Sequence, residues 1–325
     1  MRAVVCREYG PPESLAVLEV ATRAPEAREV TIAVHRASIN YFDVLMVQGQ
    51  YQRNPPLPFV AGSDAAGEVL AVGLHVTKMR PGDRVAAFDW GGAFAEEITV
   101  PQDQVFILPA EVGYTAAAAL KSVYGTALYA LQTRAQIIPG ANVVVLGATG
   151  GVGMALLEIG QLMGARMIAV VRQEEHAEAV LQAGAHEVID LSREPLRESV
   201  LRLTGGLGAD AVMDPVGGDL FDQAVRALAW GGKLCTIGYA SGRIPSLPAN
   251  IALLKGIDIL GVNYGAWIDR AAEQHRQQTE MLLRWCAQGR IKPHVSMERP
   301  LQDAGLSMRM LLERRSIGKI VLKVR

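Results

Sequence analysis

The sequence predicts an α/β protein in which a doubly wound parallel sheet is set into a second lobe rich in β-strands. Three observations predict it. Residues 141–172 read as strand, glycine turn, helix and strand. From there to residue 262, short apolar runs alternate with helical patterns, which together with the first two make about six strands with helices between them. Before residue 120, short strands and turns dominate and there is no nucleotide signature.

In residues 141–172 the apolar, β-branched run 143–146 reads as a buried strand. Gly147, Gly150, Gly151 and Gly153 follow it. Val152, Leu156, Ile159 and Met163 then share one face of a helix, and the apolar run 167–171 closes a βαβ unit. Without a Cβ, Gly150 and Gly151 let main-chain N–H groups approach a pyrophosphate. The helix N-terminus behind them offers unpaired N–H groups and a partial positive charge. Gly153 lets the helix lie close to the strand. Ala148 stands where the first glycine of G-x-G-x-x-G is expected. Strand, turn and helix together make Thr149, Gly150, Gly151 and Val152 expected cofactor contacts.

The remaining bounds are set by the whole chain. Its 325 residues suggest two domains, at about 150 residues each, and the 50% hydrophobic content is enough for sizeable cores. A formal net charge of -1 argues against a nucleic-acid binder that relies on a basic surface. No run of about 18 apolar residues predicts a membrane span. Residues 1–6 already read as a strand, so no signal peptide is expected. Cys6, Cys235 and Cys286 are far apart and form no C-x-x-C, as isolated thiols in a reducing compartment would. A cytoplasmic location is the expectation.

In chain order, residues 3–6, 29–37 and 67–72 read as strands, Pro81 to Val85 as a turn into a strand, and 91–100 as further β pattern. A helical stretch from Thr115 leads into the βαβ unit. Beyond it, 174–183 reads as a helix ending at Gly184, and 186–189 and 209–213 as strands. Residues 220–230 read as a helix stopped by Gly231 and Gly232, and 233–237 and 257–262 as strands. The tail gives amphipathic helices at 270–288 and 301–314 and a last strand at 317–324. It has no nucleotide features and is expected to return to the first lobe. No internal repeat or low-complexity segment is present.

Several blocks in this order carry a family resemblance. They are Ser38-Ile39-Asn40-Tyr41-Phe42-Asp43, Leu57-Pro58-Phe59-Val60-Ala61-Gly62-Ser63-Asp64, Pro81-Gly82-Asp83-Arg84-Val85, residues 148–153 and the terminal Gly318-Lys319-Ile320-Val321-Leu322. The chain resembles, over nearly its full length, the zinc-independent, zeta-crystallin-like quinone oxidoreductases of the medium-chain dehydrogenase/reductase superfamily. The resemblance implies a discontinuous GroES-like catalytic domain, residues 1–120 and 266–325, around a Rossmann NADP-binding domain, residues 121–265. It also implies a homodimer paired through the edge strand at 257–262, where an exposed apolar edge invites a second copy.

The residues argue against zinc as well. The zinc alcohol dehydrogenases of this superfamily carry a cysteine near position 38 and a histidine in a Gly-His-Glu block. This chain has Ser38 and Gly62-Ser63-Asp64, and no cysteine between Cys6 and Cys235. A catalytic zinc needs about three Cys, His or carboxylate ligands. His35 and His75 have no partner at the usual spacing and read as ordinary strand or turn residues. Without a Lewis acid, hydride delivery remains feasible to acceptors already polarised by conjugation: quinones and α,β-unsaturated carbonyls.

NADPH is expected over NADH. The second strand of the βαβ unit ends at Val171 and Arg172, where NAD sites place Asp or Glu. A guanidinium pairs with a 2′-phosphate through two hydrogen bonds; Glu174 and Glu175 lie close enough in sequence to compete for it. The resemblance places Asn40 and Tyr41 at the nicotinamide end of the cleft. Tyr41 either donates a hydrogen bond to the acceptor oxygen or packs without a catalytic role, and Asp43 holds the same loop. Thr126, in the block with Tyr124 and Gly125, is a cofactor contact or a helix residue bonded to its own backbone. Tyr239 and Asn263 end the fifth and sixth strands, where ligands of such sheets bind. Lys319 reaches cofactor or substrate, or is solvated; Tyr51 and Trp267 shape the acceptor pocket or belong to the core. Two other activities stay open: an enoyl- or acryloyl-CoA reductase, for which no clear basic cluster is present, and a non-catalytic NADPH-binding protein.

Overall fold

Short β-branched segments separated by Gly and Pro build the N-terminal part of the chain, and the computed structural model describes all residues, 1–325. The strands are β1 (Arg2–Cys6), β2 (Ala16–Glu19), β3 (Glu29–Ser38), β4 (Phe59–Val60), β5 (Asp64–Val72), β6 (Arg84–Phe88), β7 (Glu97–Pro101) and β8 (Val105–Ile107). Helix α1 (Tyr41–Val47) follows β3, and α2 (Tyr114–Leu128) follows β8 and runs on into a π-helical turn, Tyr129–Arg134. β1 pairs with β2 and β4 in a small sheet. β3 is the spine of the larger sheet. β5 runs antiparallel along one of its edges, and β7 takes the first half of the other edge.

The next segment is the parallel sheet. It comprises β9 (Asn142–Val145), α3 (Gly151–Leu162), β10 (Arg166–Val171), α4 (Ala177–Gln182), β11 (Glu187–Asp190), α5 (Leu196–Leu203) and β12 (Ala209–Asp214). It continues with α6 (Asp219–Ala227), β13 (Leu228–Thr236), α7 (Ala249–Lys255), β14 (Asp258–Gly261), α8 (Tyr264–Arg270) and α9 (Ala272–Ala287). All pairs are parallel and the order is β11-β10-β9-β12-β13-β14. The order turns back beside β9, so the crevice between the ends of β9 and β12 is the topological switch point. Val143, Val144, Val145, Met167 and Ile168 are fully buried, as strands covered on both faces should be.

The chain ends with β15 (Val295–Pro300), α10 (Ala304–Leu312) and β16 (Lys319–Lys323). β16 pairs antiparallel with the second half of β3, Val321 opposite Ser38. Met1–Ser122 with Thr279–Arg325 form one compact unit and Val123–Gln278 the other. No helix is long and apolar enough to cross a membrane.

Several expected boundaries move. The helix read over 220–230 ends at Ala227, because β13 begins at Leu228 and bulges through Gly231 (φ 72°) before rejoining β12 at Lys233. The β pattern read over 91–100 begins only at Glu97, since Gly91 and Gly92 hold left-handed backbone. The helices read over 174–183 and 301–314 each open as a 3-10 turn, and the second stops at Leu312. Of the expected helix face, Leu156 and Ile159 are fully buried, whereas Val152 and Met163 are partly exposed.

Candidate active site

In the parallel-sheet unit, β9 leads into the glycine turn. Gly147, at φ 56°, takes the left-handed conformation that closes the turn. The first glycine's role thus falls on Gly147, one residue before the position the motif gave to Ala148. A Cβ on Gly153 would lie 2.4 Å from the Gly147 carbonyl oxygen and 2.6 Å from that of Ala148, so only glycine lets α3 start this close. Gly150 caps α3 without a side-chain hydrogen bond, and the first turn holds no acidic residue. That leaves N–H groups and a positive helix end unopposed by carboxylates. Thr149, Gly150, Gly151 and Val152 are all partly exposed there.

Beside this turn, β12 ends at Asp214. Its Oδ1 accepts the N–H groups of Val216 and Gly217, both at 2.8 Å, and its Oδ2 is buried without a partner. Burial pushes the carboxyl up, against those two donors. Tyr239, beyond β13, packs against the same loop: a Cβ on Gly217 would sit 3.0 Å from its ring. Arg172 is exposed at the end of β10. Of the acids that follow it, Glu174 is hydrogen-bonded by Arg193.

Asn263 caps α8, its Oδ1 accepting the Ala266 N–H at 3.0 Å. The next residue, Tyr264, lies over Gly125, where a Cβ would meet its hydroxyl at 2.1 Å. Trp267 stacks on Tyr129 at 4.8 Å and on Tyr264 at 5.8 Å. Tyr124 is buried and donates to Glu158 on α3 at 2.6 Å. Thr126 is partly exposed on α2. Gly125 and Tyr124 therefore serve packing between α2, α3 and α8.

The β-rich unit holds a buried polar cluster. Register brings it together: Ser38 on β3 faces Asp64 on β5, which faces Phe88 on β6, and β16 runs beside Ser38. Lys319, the first residue of β16, is 4% exposed and donates to the Ile39 carbonyl at 2.7 Å and to Asn40 Oδ1 at 2.5 Å. Asn40 Nδ2 donates to Asp64 Oδ2 at 2.9 Å. The Asn40 N–H donates to Asp43 at 2.8 Å, and the Ser63 hydroxyl donates to the other Asp43 oxygen at 2.6 Å. The Asn40 amide is thus held from both ends, and Lys319 is neither solvated nor free to reach out.

Burial sets the charges in this cluster. Asp43 is fully buried and pushed up to about 7, although two hydrogen bonds pull it down. Burial brings Lys319 down to about 8, resisted by Asp64 and Asp43. Lys121, on α2, is likewise at about 8, resisted by Asp64 and Asp89. Its Nζ makes no hydrogen bond and sits 3.9 Å above the Phe88 ring.

Next to the cluster lie Tyr41 and a group of aromatic rings. Tyr41 is partly buried, which raises its phenol, so the proton stays on. Its neighbour Phe42 meets Tyr51 at 5.8 Å and Trp90 at 5.7 Å; Trp90 stacks on Tyr51 at 6.0 Å and meets Phe88 edge-on at 5.1 Å. His35 instead stacks on Tyr114, and His75 lies in an exposed turn. No three His, Cys, Asp or Glu side chains group as metal ligands.

Sequence reasoning singled out the Asn40 block, Lys319 and the glycine turn, and did not single out Lys121, Trp90, Phe88 or Asp214. Two of these left a trace: Lys121 is the only charge in the run 115–132, and Asp214 ends an apolar strand ahead of Pro-Val-Gly-Gly. The aromatic set left none, since its members come from separate segments.

Comparison with known proteins agrees with this fold. Residues 26–110 match the alcohol dehydrogenase GroES-like domain, and residues 151–285 match the zinc-binding dehydrogenase family. A quinone oxidoreductase-like protein 2 homolog of Nematostella vectensis is 37% identical over 100% of this chain and 89% of its own length. The quinone oxidoreductase of Rattus norvegicus is 30% identical over 99% of this chain and 97% of its own. Among solved structures, the Escherichia coli quinone oxidoreductase complexed with NADPH has a TM-score of 0.93 at 28% identity, with each chain covered in full. A mycobacterial protein complexed with NADPH gives 0.93 at 30%, again with full coverage. A GroES-like lobe interrupted by a parallel nucleotide-type sheet, matched along its whole length to these relatives, makes this chain a member of the quinone oxidoreductase family of the medium-chain dehydrogenase/reductase superfamily.

Proposed function

We propose that this chain reduces a quinone or an α,β-unsaturated carbonyl with NADPH and without zinc. The observation that carries the reading is the glycine turn at the switch point, with Arg172 and no carboxylate at the end of β10. The NADPH complexes of the E. coli and mycobacterial neighbours support it. When bound, the cofactor supplies the hydride. In this reading the main chain from Thr149 to Val152 binds its pyrophosphate, Arg172 pairs with the 2′-phosphate, and Thr126, Tyr239 and Asn263 border it.

On the acceptor side, Asn40 offers an amide fixed by Lys319 and Asp64, and Tyr41 a phenol that keeps its proton. Both suit an oxygen on which charge develops. Lys319 acts through Asn40. The donor set does not suit zinc: Ser38, Ser63 and Asp64 share their surroundings with the ammonium groups of Lys121 and Lys319, which repel a dication. We also propose a homodimer paired through β14, the sheet's edge strand. Ile259 on that strand and Leu253, Leu254 and Trp230 are exposed apolar side chains. A single monomeric species in sedimentation at micromolar concentration would rule that out.

The test is loss of NADPH absorbance with a panel of quinones, enones and enoyl-CoA thioesters. Quinones and enones are expected to be reduced, and faster with NADPH than with NADH. Preference for the thioesters would move the substrate class to acyl-CoA. Tight NADPH binding with no turnover of any acceptor would make the protein a non-catalytic cofactor binder.

A further inference from the structure

Lys121 is a buried cation without a hydrogen bond. It is 2% exposed, its Nζ has no hydrogen-bond partner, and it lies 3.9 Å from the centroid of the Phe88 ring. The carboxylates that act on it are Asp64 and Asp89. One oxygen of Asp64 already accepts from Asn40, and Asp89 accepts the Trp90 N–H at 2.7 Å. Packing alone does not explain an ammonium here, since an apolar side chain would fill the site without its desolvation cost.

The cation lies against one end of an aromatic set. Phe88 touches Trp90 and Phe42, and these touch Tyr51. Trp90 carries a second cation, the Arg53 guanidinium, 4.7 Å from its centroid. Aromatic faces suit a flat ring. A positive charge fixed in a low-dielectric site without a hydrogen-bond partner acts over several ångströms.

We propose that Lys121 and Arg53 are positioning residues of an acceptor surface formed by Phe42, Tyr51 and Trp90, and that their charge makes this surface prefer a planar anion to the matching neutral ring. This rests on the proposed function for its catalytic meaning. Hydride brings two electrons to the acceptor and oxidises the nicotinamide. A C–H bond of the reduced nicotinamide would break as a new C–H or O–H bond forms on the acceptor, the acceptor's conjugated π bonds would shift, and the negative charge would fall on a carbonyl oxygen that has not received the hydride until a solvent proton neutralises it. Lys121 keeps its own proton throughout. The surface therefore favours the reduced anion over the neutral acceptor that entered.

Equilibrium binding without turnover tests this. The probes are 2-hydroxy-1,4-naphthoquinone, an anion at neutral pH, and neutral 2-methyl-1,4-naphthoquinone, read by quenching of tryptophan fluorescence in the full-length protein. Lys121→Met is expected to weaken the anion about fivefold, the effect of one charge at roughly 10 Å in a partly screened site, and to leave the neutral ring within about twofold. Lys121→Arg should restore the preference, which a purely structural role would not allow. Arg53→Gln changes an exposed residue, so it reads out even if Lys121→Met does not fold; it should weaken the anion in the same direction. Equal losses for both probes, an unchanged anion affinity in Arg53→Gln, or no binding of either ring to the native protein would overturn the inference. A charge preference that persists in a protein unable to oxidise NADPH with any quinone would uphold it while refuting the proposed function.

Discussion

Asp43 ties the stability of the β-rich unit to pH, and Asp43→Asn isolates the effect. Its carboxyl is fully buried, accepts from Ser63 and from the Asn40 N–H, and is pushed up to about 7 by burial. In the unfolded chain it titrates near 3.9. Between those values the folded state holds a proton that the unfolded state has released. Stability from this group is therefore fully present below about pH 3.9 and is lost as pH rises, until the loss is complete above about 7. From about pH 5 to about pH 7.5 the window spans roughly two units at about 1.4 kcal/mol each, so the native protein should lose about 2–3 kcal/mol through this group. Glu29, at about 2, titrates below the window, and Lys121 and Lys319, at about 8, above it. Asparagine keeps the size and an acceptor oxygen but cannot titrate. Urea unfolding followed by tryptophan fluorescence should give a native-minus-variant difference that shrinks by that amount between the two pH values. Parallel pH dependence in the two proteins would show that Asp43 is ionised throughout and would refute the coupling.

Lys319→Met strips donors from the Ile39 carbonyl and Asn40 and leaves Asp64 less compensated. It should cost about 3 kcal/mol in the same unfolding experiment, and a loss under about 1 kcal/mol would mean that Lys319 does not hold the cluster. Arg172→Ala should raise the KM for NADPH roughly 10- to 100-fold, the value of one charged hydrogen bond pair, and leave NADH nearly unchanged; equal effects on both cofactors would refute the 2′-phosphate assignment. Tyr41→Phe should lower kcat with a good quinone by about tenfold or more, and an unchanged kcat removes Tyr41 from the chemistry. Gly153→Ala places a methyl 2.4 Å from the Gly147 carbonyl oxygen. It should weaken NADPH binding as the turn moves, and unaltered titration calorimetry would show that the turn does not need the close approach.

What the sequence by itself determined was local. The alternation of apolar runs and helical periods gave the doubly wound sheet, because strand and helix patterns are written within about 10 residues. The glycine turn was readable for the same reason: Gly147 to Gly153 is one continuous segment. Arg172 and the Asn40 block were visible as residue types at set places in such patterns. What only the tertiary structure decided depends on register between distant strands. β16 docks beside Ser38, and this buries Lys319 on Asn40 across 279 residues of chain. The pairing of Ser38, Asp64 and Phe88 puts one face of three strands under a single lysine from α2. The low dielectric that shifts Asp43 and both lysines exists only once these segments close over one another. Nothing in the local sequence carries that burial, so a lysine that reads as solvated can become the strut of a site.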